Sequence, residues 1–183
     1  LRRIIHLLLL IALLCQISIT TNAYSPVLRE YQIKSAFMAN FIRYTHWQSM
    51  PTNNFQFCMT STHASDIVSK SLQQERWFDL TTQFSLVAPG EEGKCHFLFV
   101  DQSSHELWQP YLSLTKVKNL LVVSEQKDSA QRYSQINFFF VDNKLRFEIN
   151  PSRLQGADLA INASLLRLAR IVNSRSLVSE GRE

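Results

Sequence analysis

The chain has 183 residues, 45% of them apolar and 19% charged. That is a length for one domain and a composition that excludes gross disorder. Its four glycines, Gly90, Gly93, Gly156 and Gly181, fit neither a dinucleotide-binding fingerprint nor a P-loop. The net charge of +4 is gathered into no Lys/Arg block, so nothing in it argues for a nucleic-acid partner.

The chain opens with Arg2 and Arg3, then an apolar run over residues 4–14, then small residues at Thr21 and Ala23. This is the layout of a secretory signal, with cleavage expected after Ala23. The competing readings are an uncleaved anchor and a lipoprotein signal on Cys15. An anchor needs about 20 apolar residues, and the stretch 4–19 is shorter and broken by His6, Gln16 and Ser18. A lipoprotein signal needs a small residue where Leu14 stands. The expected organisation is therefore a leader over 1–23, one α/β domain over 24–175 and a polar tail over 176–183. Without the leader the charge is nearly balanced, with 17 basic and 15 acidic residues.

Ser25-Pro26 marks a helix start, and the spacing of Leu28, Tyr31, Phe37, Phe41 and Tyr44 predicts an amphipathic helix to about residue 45, with Arg29, Glu30, Lys34 and Arg43 facing water. A turn over 50–54 leads to a short strand over 55–60. Ser61 or Thr62 can cap a helix over 64–74. Residues 82–88 read as a strand ended by Pro89-Gly90. The nearly unbroken apolar runs at 95–100 and 119–124 fit strands buried on both faces, with a helix opened by Ser103-Ser104 between them. A polar stretch over 125–135 has room for one or two helical turns. Two runs of β-formers, 136–141 and 144–150, flank Asp142-Asn143, a hairpin signal. In the second run Leu145, Phe147 and Ile149 alternate with Lys144, Arg146, Glu148 and Asn150, giving one apolar and one charged face. A short helix or loop follows over 151–158. A last helix is expected over 162–173, with Leu165, Leu168, Ala169 and Val172 inward and Arg167 and Arg170 outward. The pattern predicts an α/β layered sandwich: helices on a mixed, mainly parallel sheet, with a C-terminal β-hairpin plus helix.

Residues for chemistry are sparse. No nucleophile elbow and no H-E-x-x-H occurs. Asp101 and Asp142 end predicted strands, where carboxylates are either catalytic or, more commonly, caps and turn residues. Asn162 matches a glycosylation acceptor but reads better as a helix cap. The aromatic stripe of the first helix borders either a ligand groove or the core. With Cys15 in the leader, Cys58 and Cys95 remain, and in an oxidising compartment one disulfide is the simplest outcome. The alternative, a metal site with His63 and His96, has no standard zinc spacing. No cofactor is expected.

Several blocks together resemble the YfiR/HmsC family of exported proteins: residues 30–47 (EYQIKSAFMANFIRYTHW), 55–59 (FQFCM), 95–100 (CHFLFV), 120–125 (LLVVSE), the hairpin 136–150 (INFFFVDNKLRFEIN) and 165–172 (LLRLARIV). The resemblance implies a periplasmic, non-catalytic repressor of an inner-membrane diguanylate cyclase, acting on the cyclase's periplasmic region and lowering cyclic di-GMP and biofilm formation. It further implies sequestration by an OmpA-like outer-membrane lipoprotein, and a homodimer as the default state. The family's cysteine pair corresponds to Cys58 and Cys95, which implies redox control. A second pair that some relatives carry near the hairpin is replaced here by Phe, Val, Asp and Asn. The hairpin's charged face, Arg146 and Glu148 with Asn150 and Leu154 beside it, is the expected partner-binding surface. The other reading of the chain is a periplasmic small-ligand binding protein.

Overall fold

The computed structural model describes residues 25–49, 53–114 and 117–174. The expected leader over 1–23, residues 50–52 of the expected turn and the expected tail lie outside them.

The first helix, α1 (Pro26–Tyr44), starts with Pro26 in its first turn, where the missing N–H is no loss. Its buried stripe is Tyr31, Lys34, Ser35, Met38, Ala39, Phe41 and Ile42. The stripe is thus rotated from the expected one: Tyr44 is exposed and Lys34 is buried. Strand β1 (Thr45–Trp47) follows directly, then β2 (Asn54–Met59) and α2 (Thr62–Leu72). The cap of α2 is Ser61, whose hydroxyl accepts from the His63 N–H. Strand β3 (Thr81–Leu86) leads through a short 3-10 turn to β4 (Phe97–Val100). Then come α3 (His105–Leu114), β5 (Leu121–Ser124) and a single turn, α4 (Ser129–Arg132).

The hairpin is present as β6 (Ile136–Val141) and β7 (Lys144–Ile149), antiparallel in full register. Asp142 and Asn143 both take left-handed φ values, 49° and 57°, as a two-residue turn of this hand requires. The C-terminal part continues with α5 (Pro151–Gly156), β8 (Leu159–Ile161), α6 (Ala163–Leu166) and β9 (Arg170–Ile171).

Seven strands form one sheet in the order β3-β2-β4-β5-β6-β7-β9. The first five are mutually parallel, β7 runs against them and β9 lies parallel to β7. β1 and β8 make a separate antiparallel pair. Phe57, Phe97, Phe99, Leu121 and Val123 pack on one face with α1 and α2. Leu98, Val100 and Val122 pack on the other with Trp108 and Leu112 of α3. Both faces are covered, which is why β4 and β5 are apolar at nearly every position.

The final helix is the main departure from the sequence reading. Only Ala163–Leu166 is helical, capped by the Asn162 carboxamide, which accepts from the Ser164 N–H at 2.8 Å. Leu168 is exposed, and Arg170–Ile171 pairs with the open edge of β7 instead. A strand edge offers backbone partners that outweigh the helix preference of a Leu/Arg/Ala run.

A charged cleft beside the hairpin as the candidate functional site

The chain leaves β2 toward the sheet edge at β3 and leaves β4 toward β5, so its connections diverge between β2 and β4. In open α/β sheets that point opens a crevice at the carboxyl ends of the strands. Asp101, the residue after β4, is buried there. Its Oδ1 accepts from the Ser103 hydroxyl at 3.0 Å, the Ser104 N–H at 3.1 Å and the Ser104 hydroxyl at 2.8 Å. Ser61 donates to Oδ2. The carboxylate fixes the turn that leads into α3. Asp142 is a hairpin-turn residue.

One strand further along, Glu125 follows β5. Its Oε1 accepts from the Tyr31 hydroxyl at 2.9 Å and the Gln102 N–H at 2.8 Å, and its Oε2 accepts from Lys34, which also bridges to Glu30. These bonds tie α1 across the top of the sheet. Burial, and then the neighbouring Glu125 carboxylate, push the Tyr31 phenol far above its ordinary value, so it stays a protonated donor. The cluster forms one wall of a 740 Å³ cleft. The other walls come from Glu125–Asp128 in sequence, from Phe138, Phe139 and Phe140 of β6, and from Arg170.

The hairpin's charged face differs from its expected form. Arg146 is exposed, but Glu148 is only 1% exposed, Asn150 is fully buried and Leu154 is in the main core. The Glu148 Oε1 accepts from Asn137 at 3.1 Å, and its Oε2 accepts from the Arg170 Nε at 3.0 Å and from a second guanidinium nitrogen. Arg170 also stacks on Phe139, 3.9 Å from the ring centroid. Asn150 caps α5 and donates to the Ala130 carbonyl and the Ser174 hydroxyl. Alternation along β7 therefore separates an apolar face from a polar one, but on the polar one the Arg170 side chain, from β9 alongside, covers Glu148. The four expected residues are neighbours in the chain without forming one exposed surface.

Cys58 and Cys95 are joined in a disulfide. His96 Nδ1 accepts from the Gln56 N–H at 2.9 Å, and the ring stacks on Phe55. Burial lowers its pKa, consistent with a neutral ring accepting at that nitrogen. Lys34, Glu125 and Arg170 are the site residues that sequence reasoning missed, while Tyr31 belongs to the aromatic stripe read as bordering a groove or the core. A lysine within the buried stripe of α1 was the available signal for Lys34; nothing local marks Glu125 or Arg170.

Among curated proteins, no sequence matches this chain. Against family descriptions, residues 31–170 match the one described as YfiR/HmsC-like. The match covers six strands of the seven-stranded sheet in full and ends at Arg170, the first residue of β9, whose side chain closes over Glu148. The chain belongs to the YfiR/HmsC-like family, which stands for periplasmic regulation of diguanylate cyclases rather than for catalysis.

Proposed function

We propose that this protein binds the periplasmic region of an inner-membrane diguanylate cyclase and represses it, lowering cyclic di-GMP and biofilm formation. The observation that carries the reading is the family match over residues 31–170. Export by a leader cleaved after Ala23 belongs to the same proposal. Among the described residues, no helix is long and apolar enough to cross a membrane. An OmpA-like outer-membrane lipoprotein would compete for the repressor, and a homodimer is the default assembly. The Cys58–Cys95 bond makes the repressor's stability, and through it repression, sensitive to reduction. Of the four residues expected at the partner surface, Arg146 is the direct contact. Glu148, Asn150 and Leu154 support that surface from beneath by fixing the hairpin to β9 and α5.

The test is cellular cyclic di-GMP after gene deletion and after restoration with and without the export signal. A rise on deletion, reversed only by the exported form, is the expected result. An unchanged level in cells that express the target cyclase would sink the repressor reading.

The 740 Å³ cleft favours a second reading, binding of a small ligand, since its volume falls within the range of small-molecule sites. Saturable heat on titration with a periplasmic metabolite would support it.

A further inference from the structure

We infer that the cleft is a strand-addition site: the partner inserts an extended segment along the free edge of β6 at Phe138–Phe140. The inference rests on the repressor reading for the identity of that partner, the periplasmic region of a diguanylate cyclase.

The free edge arises from a mismatch of strand lengths. β5 has four residues and β6 has six, and they pair only at Val123↔Ile136 and Ser124↔Asn137. Beyond Asn137, among the described residues, β6 has β7 on one side and no strand on the other. The Asn150 N–H donates to the Gln135 carbonyl at 2.9 Å, which sets the phase of the hairpin ladder. Residues 137, 139 and 141 direct their backbone groups at β7, and residues 136, 138 and 140 direct theirs away from it, while the Gln135 N–H, just before the strand, donates to the Val122 carbonyl of β5 at 3.0 Å. Among the described residues, the Phe138 carbonyl and both backbone groups of Phe140 meet no protein partner. All three line the cleft. Unpaired strand edges are templates for another strand, and soluble proteins normally blunt or cover them. Here the edge is recessed between the first turns of α1 and the loop after β5, and the side chains on it are aromatic.

The recess argues for a single extended segment. A second copy offering the same edge would carry its own α1 and loop in front of it. A small molecule could fill the volume, but three backbone groups at strand spacing match a peptide ladder. The walls also specify side chains. On one face Val27 and Phe140, both exposed, call for an aliphatic residue. On the other, Arg170 spends its Nε and one further nitrogen on Glu148 and is still 57% exposed, so its remaining donors call for a carboxylate. The inserted segment is therefore a short strand with aliphatic and acidic residues on opposite faces.

The test uses the exported protein and the purified periplasmic region of the cyclase whose output rises on gene deletion. Phe140→Pro removes the outward N–H while leaving the β6–β7 ladder its donors, because proline is tolerated where the N–H faces off the sheet. It should weaken binding by about tenfold or more, and Phe140→Ala, which keeps the N–H, by less than about threefold. Independently of any variant, hydrogen exchange at the Phe140 amide of the wild-type protein should slow on complex formation. Wild-type affinity in a folded Phe140→Pro protein, or unchanged Phe140 exchange in the complex, would overturn the inference. So would slow Phe140 exchange in the protein alone at doubled mass, which would make a second copy the occupant. A small ligand that occupies the cleft without disturbing cyclase binding would overturn it too. A cyclase region that does not bind the wild-type protein would instead remove the repressor reading, and this partner with it.

Discussion

In β4 the four residues Phe97–Val100 are all buried and all apolar. In β7, on the same sheet, the buried run is Phe147, Glu148 and Ile149. The parallel centre is held by aromatic stacking, such as Phe57 on Phe97 at 4.5 Å between centroids. The hairpin end is held on its polar face by a carboxylate shared between Asn137 and Arg170. The difference lies in what each interaction demands. Apolar packing tolerates many partners of similar size, whereas a buried carboxylate needs particular donors in particular places. The hairpin end is therefore the more specific part of the sheet, and it is the part that borders the cleft.

The contrast can be broken from either side. Phe57→Ala in the parallel centre should cost most, about 3–5 kcal/mol of unfolding free energy in denaturant titration. Replacing both Cys58 and Cys95 by serine should cost about 2–4 kcal/mol, since the closed excursion is long. Thiol labelling of the oxidised protein should find neither sulfur reactive. At the hairpin end, Glu148→Ala should cost about 1–3 kcal/mol by leaving the buried Asn137 amide short of an acceptor. Arg146→Ala, on the exposed position of the same strand, should change stability by less than about 0.5 kcal/mol. Equal effects from these two would mean that Asn137 and Arg170 do not hold Glu148 as described. The smallest effect concerns His96. Its folded pKa is depressed, so between that value and the unfolded one near 6.5 the unfolded chain holds more protons. Stability should be flat in this respect above pH 6.5 and decline as pH falls below it, and His96→Gln should remove that component from a melting series.

The parallel centre was legible in the sequence because a strand covered on both faces writes itself as an apolar run. The hairpin was legible because Asp142-Asn143 accepts two left-handed residues in succession. The final helix was misread because residues 165–172 have good helix periodicity, while the competitor, an open edge on β7, is visible only once the sheet is assembled. Glu148 was read as part of an exposed charged face, and it is buried. Its burial was not legible, because alternation tells which residues share a face and not what lies on it. The cleft was hidden for a related reason. It comes from the register of β5 against β6, and no local pattern records how far one strand outlasts its neighbour.

The disulfide has a consequence for how the protein meets proteases. Cys58 sits in β2 and Cys95 just before β4, so the bond encloses α2, β3 and the exposed turn around Gly90. Cutting the backbone once anywhere in that excursion would leave both halves joined by sulfur as well as by the sheet. A nicked molecule could thus keep its shape and run as two pieces only under reducing electrophoresis. In a compartment where proteases act on folded substrates, that bond turns the edge strand β3 into one whose severing need not release anything.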